Sequence, residues 1–282
     1  MGRPELCLFF VEGIMKNKRL IVILSVLAFL TVLIVINSTL FTLQGISMNW
    51  LTSKYMLQDV KDYEIAEDIK LGQSIFLLNK DEITKQLEKS NPYLRVIQLE
   101  TKFPNKLVVH CAERESLYAI KIASNEYVVL DELGKVLTIT NNQSMFEGTE
   151  ASLGTRPIIM DFVSLSLKAE DFQVGEEVKS QYVANLLSSL SHSLREARYN
   201  PTTSKGVIKS IEVVSQGESS QVSIRTRNGM ILNISEIETM TTNKLLLAFD
   251  RYNYLHNQGV VDCLIEVWYC EETSNIMANI VW

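Results

Sequence analysis

The stretch TKFPNKLVVHCAER, residues 101–114, decides how the middle of this 282-residue chain is read. An apolar-rich segment, LRVIQLETKF (94–103), stops at Phe103-Pro104-Asn105, and a second, KLVVHCAER (106–114), restarts at once. Proline presets φ and asparagine tolerates tight backbone geometry, so Pro104-Asn105 reads as the turn of a hairpin. In the second arm Leu107, Val109 and Cys111 alternate with Lys106, Val108 and His110, the period-two pattern of a strand with one buried face. In the first arm Leu94 and Val96 hold that period, which then slips by one residue to Leu99.

Working backwards, SIFLLNKDEITKQLEKSNPY (74–93) carries a helix start at Asn79, followed by Asp81 and Glu82 in the first turn and Ile83 and Leu87 at i, i+4. Pro92 disfavours helical geometry at Asn91, so this helix should end near Ser90. Before it, YEIAEDIKL (63–71) is a second helix candidate, broken by Gly72, and FTLQGISMNW (41–50) alternates as a first strand. The resulting order, strand, helix, helix, strand, hairpin, strand, is the β-α-α-β-β order of a POTRA module.

Further upstream the solvent changes. No Asp, Glu, Lys or Arg occurs in the 34 residues from Leu20 to Ser53, and LIVILSVLAFLTVLIVI (20–36) is almost wholly apolar. As a helix, 20–41 would span about 33 Å, close to the hydrocarbon core of a bilayer. Lys16, Lys18 and Arg19 crowd the N-terminal flank, while the other flank carries no charge until Lys54. The positive-inside rule therefore puts 1–19 in the cytoplasm and everything beyond about 41 outside. No small-x-small exit site follows the span, which reads as a signal anchor. The compact MKNKR run makes Met15 a candidate start.

Composition narrows the function classes. The net charge is −6 over the chain, and about −8 once the four bases and two acids of residues 1–19 are set aside. Nucleic acid is a poor partner for such a surface, because its phosphates call for a basic stripe. The same balance offers no reason for the exported part to approach an anionic bilayer. Three histidines and four cysteines, without CxxC, HExxH or a glycine-rich phosphate loop, give no metal, cofactor or redox signature. The cysteines read as free buried thiols, and Cys263 and Cys270 fall on opposite faces of a strand. An anchored hydrolase would need a nucleophile with its base. His192 lies between Ser191 and Ser193, whose side chains diverge on a helix, and neither GxSxG nor SxxK occurs.

Downstream, RPIIMDF (156–162) reads as a short strand and SQYVANLLSSLSHSLREA (180–197) as an amphipathic helix, with Val183, Leu186, Leu187, Leu190 and Leu194 on one stripe and Asn200-Pro201 as its stop. GVIKSIEVVSQ and SQVSIRTRNGMILNIS read as strands, with Asn228-Gly229 as a two-residue hairpin turn. EIETMTTNKLLLAFDRYNYLHNQG (236–259) reads as a helix and VVDCLIEVWYC (260–270) as the final strand.

With the motifs in place, the chain resembles the FtsQ/DivIB family of bacterial division proteins. GQSIFLLNKDEITKQL (72–87), TKFPNKLVVHCAERESLYAI (101–120) and EYVVLDELGKVL (126–137) carry the likeness. Phe103-Pro104-Asn105, Glu113-Arg114, and Asp131 followed by Gly134 match the family pattern in order and spacing; the proline usual after Glu-Arg-x is replaced by Ser116-Leu117. The likeness covers about 16–270 by architecture and 72–137 by motif. It implies an α+β organisation: a cytoplasmic tail (1–19), a transmembrane helix (20–41), a POTRA domain (42–115), a mixed β-sheet domain with two helices (116–270) and a C-terminal tail (271–282). It also implies a non-enzymatic scaffold that binds FtsB/DivIC-like and FtsL-like bitopic proteins and links them to septal peptidoglycan synthesis. In the family the last β-domain strand and its neighbouring helix receive a partner strand. Here that points to Leu264, Glu266, Trp268 and Tyr269, with Glu113-Arg114 as an interdomain salt-bridge position. The alternative class is a POTRA-containing, membrane-anchored secretion or sporulation component, which a fluorescent fusion would separate by the presence or absence of a midcell band.

The topology has a direct test. Protease added outside spheroplasts is expected to digest everything beyond about residue 42 and leave a small membrane-bound stub; a protected C-terminal domain would reverse the reading of the Lys16-Lys18-Arg19 flank.

Overall fold

The computed structural model describes residues 5–52, 71–142, 156–163, 165, 167–216 and 219–282. The helix candidate YEIAEDIKL lies outside them, apart from Leu71. Among the described residues the chain opens with one continuous helix, α1 (Glu5–Leu40). The segment expected as a tail is thus helical from Glu5 onwards. In the apolar part, Leu20–Leu40, none of the described side chains is buried against protein, as expected of a helix surrounded by lipid.

Next come β1 (Gly45–Thr52), a 3₁₀ turn (Ile75–Leu77), α2 (Lys80–Ser90), β2 (Leu94–Lys102) and β3 (Lys106–Glu113). The three strands form a sheet in the order β1-β3-β2. Asn79 caps α2 through its Oδ1, which accepts from the Glu82 N–H at 3.3 Å, and Ile83 and Leu87 are buried as their spacing implied. Leu107, Val109 and Cys111 are fully buried on β3, and β2 buries Leu94 and then Leu99, following the slip in its pattern.

A second sheet follows, built from β4 (Tyr118–Ala123), β5 (Glu126–Leu130), β6 (Val136–Thr140), β7 (Ile158–Phe162), β8 (Ile208–Gln216), β9 (Ser219–Thr226), β10 (Ile231–Ile234), β11 (Leu264–Cys270) and β12 (Asn275–Val281). Its nine strands run in the order β12-β11-β10-β9-β8-β7-β4-β5-β6. Most neighbours are antiparallel, but β7 lies parallel to β4 and β8, and β10 parallel to β11. Parallel neighbours need long connections, which for two of these three pairs include a helix: α3 (Gln181–Glu196) before β8 and α5 (Thr241–Asn257) between β10 and β11. Val183, Leu186, Leu187, Leu190 and Leu194 of α3 and Leu245, Ala248, Phe249, Tyr252 and Leu255 of α5 share one core with alternate residues of the strands, such as Ile158, Met160 and Phe162.

By compactness the chain divides into one unit comprising 1–52, 62–86 and 96–111 and another comprising 53–61, 87–95 and 112–282. This division cuts across α2, β2 and β3, whereas the expected domain boundary fell at 115.

Three local readings change. Asn200-Pro201 does not merely stop α3: it starts a short helix, α4 (Pro201–Val207), in which Asn200 Oδ1 accepts from the Thr203 N–H at 2.8 Å. Proline at the first helical position costs no hydrogen bond, so a residue that ends one helix serves equally to open another. At the β9–β10 hairpin the register pairs Arg225 with Ile231, which leaves Arg227-Asn228-Gly229 as a three-residue loop around the Thr226–Met230 closing pair. Only Gly229 takes a positive φ there, +92°, whereas a two-residue type I′ turn needs two such residues. Finally, α5 begins at Thr241, not at 236, because Glu236 and Met240 adopt left-handed backbone geometry (φ 49° and 54°).

Thiol chemistry follows from burial. Desolvation pushes the Cys111 thiol up to about 11, and burial also raises that of Cys263. A hydrogen bond from the Thr273 side chain, aided by its backbone, lowers that of Cys270, which is half-buried and free. Among these three, iodoacetamide at pH 8 is expected to alkylate Cys270 first, with Cys111 and Cys263 labelled only after denaturation, as peptide mass mapping would show.

Candidate functional site: an open sheet edge and an ion-pair hub

The expected partner segment lies in β11, but β11 is not the last strand of its sheet. On one side it pairs in parallel with β10, Ile231 opposite Leu264 through Ile234 opposite Val267. On the other it pairs with β12 over its whole length, from Leu264 opposite Val281 to Cys270 opposite Asn275. The tail expected beyond 270 is therefore a strand, and the outermost position belongs to Asn275–Val281. A turn at 271–274, with Ser274 at φ 52°, reverses the chain. Ile276, Ala278 and Ile280 then pack on the common core, the same period-two pattern that marks a half-buried strand.

The register sorts the predicted residues by face. Leu264, Glu266 and Trp268 are half-buried and stand opposite Val281, Asn279 and Met277 on the face away from the core. Ile265 and Val267 are fully buried core residues. Tyr269 follows their alternation, opposite Ile276, so it stands apart from Leu264, Glu266 and Trp268. The α5 helix packs on β10, β11 and β12. Met277, Val281 and Trp282 are exposed.

The edge itself has an unusual composition. From Asn275 to Trp282 there is no charged residue and no proline. Natural sheets commonly blunt exposed edges with lysine, proline or bulges, because unpaired N–H and C=O groups template a further strand. Here that protection is missing. The opposite edge is different at its start, where Val136 exchanges backbone hydrogen bonds with Glu176 and Gly175 (2.9 and 2.8 Å) and Lys135 bridges to Glu177.

A polar hub organises the same compact unit. The Arg114 side chain is only 7% exposed and donates from Nη1 to Asp131 Oδ2 (2.6 Å) and from Nη2 to Glu88 Oε2 (2.8 Å). Its Nε donates to the Leu94 carbonyl at 3.2 Å. Lys135 also reaches Glu88, at 3.0 Å. The other Asp131 oxygen, Oδ1, accepts from the Leu133 and Lys135 N–H groups (2.9 and 2.8 Å) and so closes the β5–β6 turn. Gly134 completes that turn at φ +84°, buried with the Leu187 side chain close by. The motif residues Asp131 and Gly134 are thereby explained together. In the Glu113-Arg114 pair, Arg114 forms ion pairs with Glu88 and Asp131, and Glu113 is half-buried at the end of β3. Next to it, the buried Lys205 ammonium pairs with Glu115 and donates to the Ser116 carbonyl at 3.2 Å. Sequence reasoning missed both Glu88 and Lys205, which carry no local signal distinguishing them from solvated helix residues.

Pro104 and Asn105 form the tip of the β2–β3 hairpin, where the Phe103–Pro104 peptide is cis and Asn105 Nδ2 donates to Gln44 Oε1 at 2.8 Å. The serines beside His192 are engaged structurally: Ser191 donates to the Glu132 carbonyl at 2.7 Å and lies 3.0 Å from the Tyr118 hydroxyl, and Ser193 donates to the Thr242 carbonyl at 3.3 Å. His192 itself is exposed.

This geometry, an anchored sheet domain with an open edge, meets the comparisons with known proteins. The family model described as POTRA domain, FtsQ-type, matches residues 57–114. Cell division protein DivIB of Clostridium botulinum strain Hall is 27% identical over 150 residues, which cover 50% of this chain and 56% of the relative. DivIB of Clostridium tetani is 28% identical over 116 residues, 41% of this chain and 38% of the relative. The chain thus spans about half the length of the relatives it matches, or less. It combines a helix long and apolar enough to cross a membrane, Leu20–Leu40, with a match to an FtsQ-type POTRA domain over 57–114. The chain is thus similar, over part of its length, to cell division proteins DivIB, and its residues 57–114 to the FtsQ-type POTRA domain.

Removing Arg114 would leave the buried Asp131 carboxylate without its cation, while Glu88 would keep Lys135. Arg114→Ala is expected to destabilise the unit by about 3–5 kcal/mol, read as a lowered urea midpoint, and Arg114→Lys to recover only part of that because it cannot reach both acids in a fork. An unchanged midpoint for Arg114→Ala would show that the hub contributes nothing to folding.

Proposed function

We propose that this protein is a non-enzymatic, bitopic division scaffold that sits at the septum with its N-terminus in the cytoplasm and the bulk of the chain outside. It captures FtsB/DivIC-like and FtsL-like bitopic proteins and couples them to septal peptidoglycan synthesis. One observation supports this reading above the others: β12 is an uncharged, proline-free strand at the open end of a nine-stranded sheet. A partner strand laid along it would gain backbone hydrogen bonds, and the alternating side chains would supply selectivity. In this arrangement β12 is the strand that receives the partner. Leu264, Glu266 and Trp268 of β11 lie one strand further in and present the adjoining surface, and Tyr269 supports it from the core side.

The backbone N–H groups of successive strand residues point to opposite sides. Of Met277→Pro and Ala278→Pro, one therefore removes a donor to β11 and the other a donor on the open edge. The edge-facing variant is expected to keep its thermal melt and lose capture of a partner ectodomain, measured by calorimetry on 42–282. Trp268→Ala should weaken binding by about 2 kcal/mol if its ring reaches the interface. Normal binding by both folded proline variants would move the docking site away from this edge.

A further inference from the structure

The last residues of α1 lead into a compact aromatic cluster. Phe41 follows the final helical residue, Leu40, and its ring lies 5.2 Å from that of Phe76 and 6.3 Å from that of Phe103, with Phe76 and Phe103 5.5 Å apart. The three come from distant places: the end of the membrane helix, the 3₁₀ turn before α2, and the β2–β3 hairpin tip. Backbone hydrogen bonds hold them together. The Ile75 N–H donates to the Phe41 carbonyl (2.7 Å), Leu43 and Gly72 bond to Gln73 and Leu43 carbonyls (both 2.8 Å), and the Gln44 N–H donates to the Asn105 carbonyl (2.9 Å).

These rings are clustered yet not buried. Phe76 is 59% exposed, Phe103 63% and the adjoining Leu77 81%, and Leu71 and Leu40 are exposed as well. In water such a patch would be costly, and it would be an ordinary core if the chain closed over it. Its location supplies another solvent. With Leu40 at the end of a bilayer-spanning helix, a ring 5–6 Å from Phe41 cannot lie outside the interfacial layer, the region in which amphipathic protein surfaces insert by about 5–10 Å. Lys102 and Lys106, both exposed, flank the hairpin tip in sequence and can reach lipid phosphates with their ammonium groups while their stems lie along apolar chains.

We propose that Phe41, Phe76 and Phe103, with Leu71 and Leu77, form a membrane-docking surface. Through it the hairpin tip and the 3₁₀ turn rest in the outer interfacial layer of the bilayer that α1 crosses. The ligand is the phospholipid interface itself, recognised by aromatic insertion. The −8 charge of the exported part argued against contact with an anionic bilayer; that argument concerns long-range attraction, whereas this contact is local and apolar. The docking fixes the orientation of the first compact unit at the membrane, and it does not depend on the proposed role in division.

The test uses the full chain in vesicles. Trp50, Trp268 and Trp282 are replaced by phenylalanine, and a single tryptophan is introduced as Phe76→Trp or Phe103→Trp, with Lys209→Trp as a control on the exposed surface of β8. Vesicles are phosphatidylcholine alone or phosphatidylcholine with phosphatidylglycerol, each with and without bromine on the upper acyl chain. Insertion to interfacial depth is expected to blue-shift the Phe76→Trp and Phe103→Trp emission and to lower it by about half or more in brominated vesicles, with no change for Lys209→Trp. Far-UV circular dichroism confirms that each variant is folded. Full emission with a water-exposed maximum at both positions would overturn the proposal. So would quenching confined to the anionic vesicles, which would assign the contact to Lys102 and Lys106. A blue shift that appears without bromine quenching and grows with protein density would assign the patch to a second copy of the chain.

Discussion

The guanidinium of Arg114 joins segments that local chemistry could not bring together. It binds Glu88 near the end of α2, the Leu94 carbonyl at the start of β2, and Asp131 at the end of β5. Removing so many polar groups from water is tolerable only because each acceptor meets a donor of fixed geometry, which arginine's planar fork provides and lysine's point charge does not. Asp131 passes the constraint on: the oxygen not taken by Arg114 closes the turn into β6, and Gly134 in that turn fits beneath Leu187 of α3. A buried charge thus sets the start of the large sheet and the position of the first helix that covers it.

From that start the sheet grows to nine strands without closing into a barrel. An open sheet always has two ends, and the two ends here differ. Near β6 the chain folds back to bond Val136, while β12 is uncharged and, among the described residues, the outermost strand at its end of the sheet. The first compact unit likewise leaves apolar rings at its surface: Phe76 and Phe103 are exposed and cluster with Phe41, which follows the end of α1.

Much of the local structure was legible. Asn79 and Pro92 bracket α2, the leucine stripe of α3 is buried residue for residue, and Pro104-Asn105 does form a hairpin tip. These signals act within a few residues, through caps, periodicity and fixed φ, so the sequence carries them openly. Signals that two conformations share were less decisive. Asn200-Pro201 is as good a helix start as a helix stop, and Asn228-Gly229 serves a three-residue loop as well as a two-residue one.

By itself the sequence determined one helix long and apolar enough to span a membrane, the hairpin that ends the POTRA-like module, the helices α2, α3 and α5 and most of the described strands, because each depends on side-chain type at short spacing. Tertiary structure alone decided which strand is outermost. The alternation of Ile276, Ala278 and Ile280 announces a strand, yet whether that strand or β11 borders solvent depends on a partner chosen across the sheet. It also decided that Glu88 and Lys205 are buried ion-pair members and not solvated charges, and that Phe41, Phe76 and Phe103 meet. Pairing between residues tens of positions apart is set by the packing of the whole fold, and no local pattern in the chain encodes it.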